Sequence, residues 1–183
     1  VREALQVLES QKLICVRPGR ATVVAELDVD DIEKCYRPLA AIQGLAAELA
    51  CGRLTEEALA ALEEAHAGFA AACGADSAGE VIAWDNRFHE IIVRASGNEY
   101  VEDFSHLMIL HIQRIKYHYF HNDRMRKASD SEHREILQAM KARDGALAGQ
   151  LVRSHWLRVM EDSLQGTMAR LRAAGAADSA PAE

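Results

Sequence analysis

From about residue 28 to residue 171, apolar positions recur every three or four residues, the period of helices packed on one another. Asp28 or Asp30 can cap a first long helix that Gly52 ends, and Pro38 inside it predicts a kink or an early break. Thr55 opens a second helix over about 55–72, closed by the loop GADSAG. A third carries WDNRFHEIIVRASGN and stops at Ser96-Gly97, and Asn98 caps a fourth over about 99–120. The stretch HNDRMRKA reads as a polar connection, after which Ser129 and Glu132 have the spacing of a capping box for a fifth helix. ARDG separates it from a sixth, about 145–171. The expected fold is all-α, an antiparallel bundle of six to seven helices over residues 26–172, and the tail 173–183, with little to bury, is expected to be disordered.

Residues 1–25 follow another pattern. VREALQVLESQKLI reads as the end of an amphipathic helix running into a short strand, and CVRPGRATVVA as a hairpin turned at Pro18-Gly19. A helix followed by a small hairpin is half of a winged helix. With Val1 where an initiator Met would stand, the other half is expected to lie outside this chain.

Composition supports helices over a β-sandwich: 49% of the 183 residues are apolar, aromatics are scarce at 5%, and there are three prolines. No apolar run approaches the ~18–20 residues of a membrane span, and no signal peptide opens the chain, so no membrane partner is expected. Cys15, Cys35, Cys51 and Cys73 show no CxxC spacing and read as reduced thiols of a cytoplasmic protein. A net charge of −7 argues against a nucleic-acid binder. The charge is uneven, however. Residues 1–24 hold four cations against two carboxylates, net +2, which leaves the remainder at −9, so the two parts are expected to do different jobs.

The chemistry lies on the inward faces. In the third helix Asp85 and His89, four residues apart, share a side with Val81, Ile82, Phe88, Ile92 and Val93, while Arg87, Glu90 and Arg94 point the other way. His133 shares a face with Ile136, Leu137 and Met140, and His155 with Ala148, Leu151, Val152 and Val159. A lone histidine on an apolar face is usually a core residue satisfied by a hydrogen bond, and an Asp–His pair one turn apart is usually an ordinary ion pair. Four such groups in one core are costly unless paired or bound to a metal. Three imidazoles and a carboxylate suit Zn²⁺, Ni²⁺, Mn²⁺ or Fe²⁺, and facing helices of a bundle can supply them; spacing alone leaves open whether the three helices converge. Of the other histidines, His111 and His118 can share a face with Phe104, Leu107 and Ile115 and line the same cavity, whereas His66 and His121 read as surface residues.

These motifs resemble a known family. VREALQVLESQKLICVRPGRATVVA is similar to the end of the winged helix-turn-helix of GntR-type transcriptional regulators, with Ala21 where the wing commonly has Gly. DNRFHEIIVRASGN resembles the D-x-x-F-H…A-G-N pattern of the FCD effector domain of the FadR subfamily, SEHREILQAMKARD resembles its E-H-x-x-I-L pattern, and His155 falls 22 residues after His133, the usual place of the last ligand. The resemblance implies one divalent ion, zinc before nickel, manganese or iron, on Asp85, His89, His133 and His155. It also implies a homodimer whose binding to operator DNA changes when a small organic acid enters beside the ion. Arg2, Arg17 and Arg20 become the candidate DNA contacts. One departure stands out: where family members carry YxxRxxxE, this chain reads YRPLAAIQ, so Leu39 takes the Arg position and Gln43 the Glu position. Gln43, His111 and Arg114 remain as polar contacts for an effector, within walls of Leu39, Ile42, Phe88, Ile92, Leu107 and Ile136.

The leading expectation is therefore a metabolite-responsive transcription regulator and not an enzyme. A metal-dependent hydrolase or other metalloenzyme is the alternative, since three His and one Asp leave positions open on an ion, but no HExxH or GxSxG motif supplies a base or nucleophile. A direct metal sensor is a further alternative.

Overall fold

The computed structural model describes residues 1–10, 13–16, 19, 21–25, 29–75 and 77–178, excepting the side chains of Arg114 and of 171–178. Helix α1 (Arg2–Ser10) leads into a hairpin of β1 (Ile14–Cys15) and β2 (Val23–Val24), antiparallel with Ile14 opposite Val24 and Cys15 opposite Val23. Six longer helices follow: α2 (Val29–Cys51), α3 (Glu56–Cys73), α4 (Ala78–Ala95), α5 (Glu99–Tyr119), α6 (Asp123–Lys141) and α7 (Gly145–Asp178). The helix-and-hairpin start matches the sequence pattern, and Arg2 on α1 is exposed; Arg17 and Arg20 lie outside the described residues.

Caps set the helix boundaries. Thr55 Oγ1 accepts from the Ala58 amide, Asn98 Oδ1 from the amides of Tyr100 and Val101, and Asp144 Oδ1 from that of Leu147. Gly97, at φ +62°, turns the chain out of α4 in the left-handed region. Arg143 reaches the same region, φ +57°, without glycine's freedom; its guanidinium donates to the carbonyls of Cys51 and Leu54, tying that turn to the end of α2.

Helix α2 packs most extensively on α7 and also touches α4 and α5; α3 lies on α4 and α6, and α6 on α7. The α2–α7 approach is nearly backbone to backbone. A Cβ on Gly44 would stand 3.0 Å from the Gly149 carbonyl oxygen, and one on Gly145 would stand 3.0 Å from that of Glu48. The core between the helices contains Ile32, Tyr36, Leu39, Leu62, Phe69, Phe88, Ile112, Ile136, Val152 and Trp156, all essentially buried.

Three expectations about elements are corrected. Pro38 does not break α2, which runs unbroken through it. Pro38 and Lys34, whose carbonyl loses its helical donor, both face solvent, where water replaces the missing N–H. HNDRMRKA is not a connection: α6 starts at Asp123, capped by Asn122 Oδ1 on the Arg124 amide. Ser129 therefore lies buried inside α6 and caps nothing. Finally, α7 continues to Asp178, so 173–178 is helical where disorder was expected; residues 179–183 lie outside the described residues. No helix of the described residues is long and apolar enough to cross a membrane.

Candidate metal centre

The three helices converge. Asp85 and His89 project from successive turns of α4, His133 comes from α6 and His155 from α7, each at most 2% exposed. One ligand atom from each lies within 4.8 Å of every other, a spread that one ion between them can span. Asp85 Oδ1 stands 3.4 Å from His133 Nε2 and 3.9 Å from His89 Nε2.

Both ring nitrogens of His89 and of His133, and both oxygens of Asp85, are buried with no hydrogen-bond partner. Such orphans are rare in folded proteins and costly, unless something else satisfies them. Burial, then the neighbouring His155, pushes both imidazoles well below their ordinary value of 6.5. They are neutral, each with a lone pair to give. Neutral imidazoles and a carboxylate form a donor set that fits a divalent transition metal, which would supply Lewis acidity and open positions for an oxygen donor.

His155 is held from behind. Its Nδ1 lies 2.7 Å from Glu132 Oε2, which as a carboxylate fixes the proton there and leaves Nε2 for the centre. Arg158 donates to both oxygens of the same carboxylate and also to Tyr119, Ser129 and Asp162. Burial works to raise the Glu132 carboxyl, but the hydrogen bonds from His155 and Arg158 outweigh it and hold it at about 2. Ser129 and Glu132, read in sequence as a capping box, are thus members of this network.

On the opposite side, Lys116 of α5 is 1% exposed and pairs with Asp85 Oδ2. Its ammonium approaches that oxygen as an ion pair outside hydrogen-bond alignment, donates to Asn86 Oδ1 at 2.5 Å, and lies 5.4 Å from the centre of the Trp156 ring. Sequence reasoning passed over Lys116. The available signal was its place among Ile112, Ile115 and Tyr119 on an inward face. Aromatic rings complete the walls: Phe88 stacks on His133 with centroids 4.3 Å apart, and Trp156 packs 4.5 Å from His89.

The remaining candidates are placed as follows. Leu39, Phe88, Ile92 and Ile136 are buried, Ile42 and Leu107 half-buried. Gln43 is buried with its amide already engaged: Nε2 donates to Ser105 Oγ at 2.7 Å, and Oε1 accepts from Trp156 Nε1 at 2.8 Å. His111 is half-buried on α5, and the Arg114 side chain is outside the described residues. His118 is exposed and does not line an interior cavity, a correction that follows from the face it occupies: at this end of α5 Ile115, Lys116 and Tyr119 turn inward, and Tyr117 and His118 turn to solvent. His121 is exposed as expected, but His66 is not a surface residue: its ring is mostly buried, 3.1 Å from Asp130 Oδ1, with its edge toward Phe88.

A buried Asp-His₃ cluster in a six-helix bundle defines a class, and comparison with known proteins gives the same one. The model of the FCD domain matches residues 35–158. The chain belongs to the FCD domain family. The HTH-type transcriptional regulator YdhC of Bacillus subtilis (strain 168) is 26% identical over 160 residues, covering 85% of this chain and 70% of that protein. Among solved structures, E. coli McbR/YncC superposes with a TM-score of 0.75 at 21% identity, over 94% of this chain and 83% of that one. The metal-free FCD domain of TM0439 superposes with a TM-score of 0.65 at 17% identity, over 79% of this chain and 99% of that one.

Proposed function

We propose that the helical domain of this regulator holds one divalent ion on Asp85, His89, His133 and His155, and that a small organic acid completing the ion's coordination alters binding to operator DNA. The observation that carries the reading is the convergence of four buried ligand-type residues from three helices, with the polar atoms of Asp85, His89 and His133 left without a hydrogen-bond partner. Zinc suits the donors best, and nickel, manganese and iron share the preference for them. Within the reading, a carboxylate or hydroxy acid binds against Leu39, Phe88 and Ile136, with Gln43, His111 and Arg114 offering polar contacts. Because Leu39 replaces the guanidinium expected there, recognition of negative charge falls on the ion. Arg2, Arg17 and Arg20 are assigned to operator DNA, contacted by a homodimer at two half-sites about one turn apart.

Calorimetric titration of an organic-acid library against metal-loaded and metal-stripped protein tests the proposal. An effector should bind the loaded protein and fail to bind the stripped one. An effector that binds equally well after stripping, with the fold intact, would reduce the ion to a structural role.

A further inference from the structure

Lys116 is the charged side chain that the proposed regulator does not use. A lysine 1% exposed needs a reason, since an ammonium loses its hydration on burial and is seldom kept without a partner. Here the partner is a metal-ligand candidate. The two oxygens of Asp85 face different groups: Oδ1 lies toward the neutral imidazoles of His89 and His133, and Oδ2 toward the Lys116 ammonium. The ammonium also donates to Asn86 Oδ1 and lies 5.4 Å from the centre of the Trp156 ring.

We infer that Lys116 is a tethered cation sharing Asp85 with the metal. It confines Asp85 to one-oxygen ligation, which leaves a coordination position open for an effector. It also keeps the buried carboxylate neutralised whenever the ion is away, so that the domain stays folded and able to reload. The arrangement weakens metal binding, because Lys116 both competes for Asp85 and repels the ion. Lys116 is a positioning residue, acting through Asp85. The inference rests on the metal reading above and extends it to a residue outside the ligand set.

The test compares wild type, Lys116→Met and the double variant Asp85→Asn/Lys116→Met, each melted with zinc and after treatment with EDTA. Zinc affinity is measured by chelator competition. Lys116→Met should lower the Tm of the EDTA-treated protein far more than that of the zinc-loaded protein, because only without zinc is Asp85 left unpaired. Zinc should bind Lys116→Met about tenfold more tightly than wild type, as expected when a competing buried cation is removed. The double variant, with both charges gone, should regain ion-free stability even if Lys116→Met does not fold without zinc. Equal losses of Tm in both states, unchanged or weaker zinc binding by Lys116→Met, or an ion-free double variant no more stable than Lys116→Met would each overturn the inference. Wild-type protein that takes up no zinc would refute the metal reading instead, and the EDTA melts would still judge the Asp85–Lys116 pair.

Discussion

Glu132 offers a graded test of whether His155 is a ligand. Its carboxylate accepts three charged hydrogen bonds, one from His155 Nδ1 and two from Arg158. Glu132→Ala removes all three. Hydrogen bonds to charged groups contribute ~1.5–3 kcal/mol each, but this network is about a quarter exposed and Arg158 keeps Tyr119, Ser129 and Asp162. The discounted loss is roughly 2–3 kcal/mol, or about 5–10 °C of Tm in a chain of this size. Glu132→Gln is milder. Oε2 receives His155 and one Arg158 nitrogen, while Oε1 receives only Arg158 Nε, so the amide settles with its oxygen at the Oε2 place and loses a single bond. That costs roughly 1 kcal/mol and about 3 °C. Metal affinity should follow the same order, falling about 100-fold for Ala and about tenfold or less for Gln, the usual range for a carboxylate behind a ligating imidazole. Chelator competition and thermal melts measure the two effects separately. If Glu132→Ala lost stability but kept full metal affinity, His155 would not be a ligand and the network would be structural only.

Metal analysis of purified protein should find close to one ion per chain, and His133→Ala should lower both that occupancy and the Tm, because binding to the folded state alone stabilises it. Gly44→Ala should cost about 1–3 kcal/mol, seen as a lower urea midpoint, since its Cβ would meet the Gly149 carbonyl oxygen at 3.0 Å. Acid should unfold the metal-stripped protein early. His89 and His133 are held below 6.5 in the folded state, so the unfolded chain takes up protons first, and stability is lost as pH falls below 6.5, by at most about 2.7 kcal/mol per pH unit for two groups. Melts from pH 8 to pH 5 should be level above pH 7 and decline below; a level series throughout would show that neither imidazole is buried neutral.

The candidate cluster was legible because each of its four residues sits at a helical interval from several apolar neighbours, and the cost of burying four ionisable groups called for one explanation for all of them. The bundle was legible for the same reason, and from its caps at Thr55 and Asn98. Helix α6 was misjudged because its opening stretch, Asp123 to Lys127, has Met125 as its one large apolar residue, and Ser129 and Glu132, which follow, bind Arg158, so the apolar period that announces a helix is absent there. Pro38 was misjudged because its tolerance depends on which face meets water, a tertiary fact. Lys116 was missed because a lysine's default is solvent, and only the meeting of α4 with α5 shows that its partner is Asp85.

The glycine contacts between α2 and α7 bear on how a signal could leave the metal centre. Side chains between two helices act as a compliant layer, able to change rotamer and absorb a small shift. Between Gly44 and Gly149 that layer is thin: a Cβ on Gly44 would stand 3.0 Å from the Gly149 carbonyl oxygen, with the side chain of Arg153 beside it. Helix α7 holds His155, and α2 continues directly from the segment that includes the hairpin. A displacement of His155 along its helix axis therefore has little slack to be lost in before it reaches α2. Within the proposed regulator the two helices are placed to act as a single strut, with His155 at one point of its length and the chain leading back to the hairpin at its end.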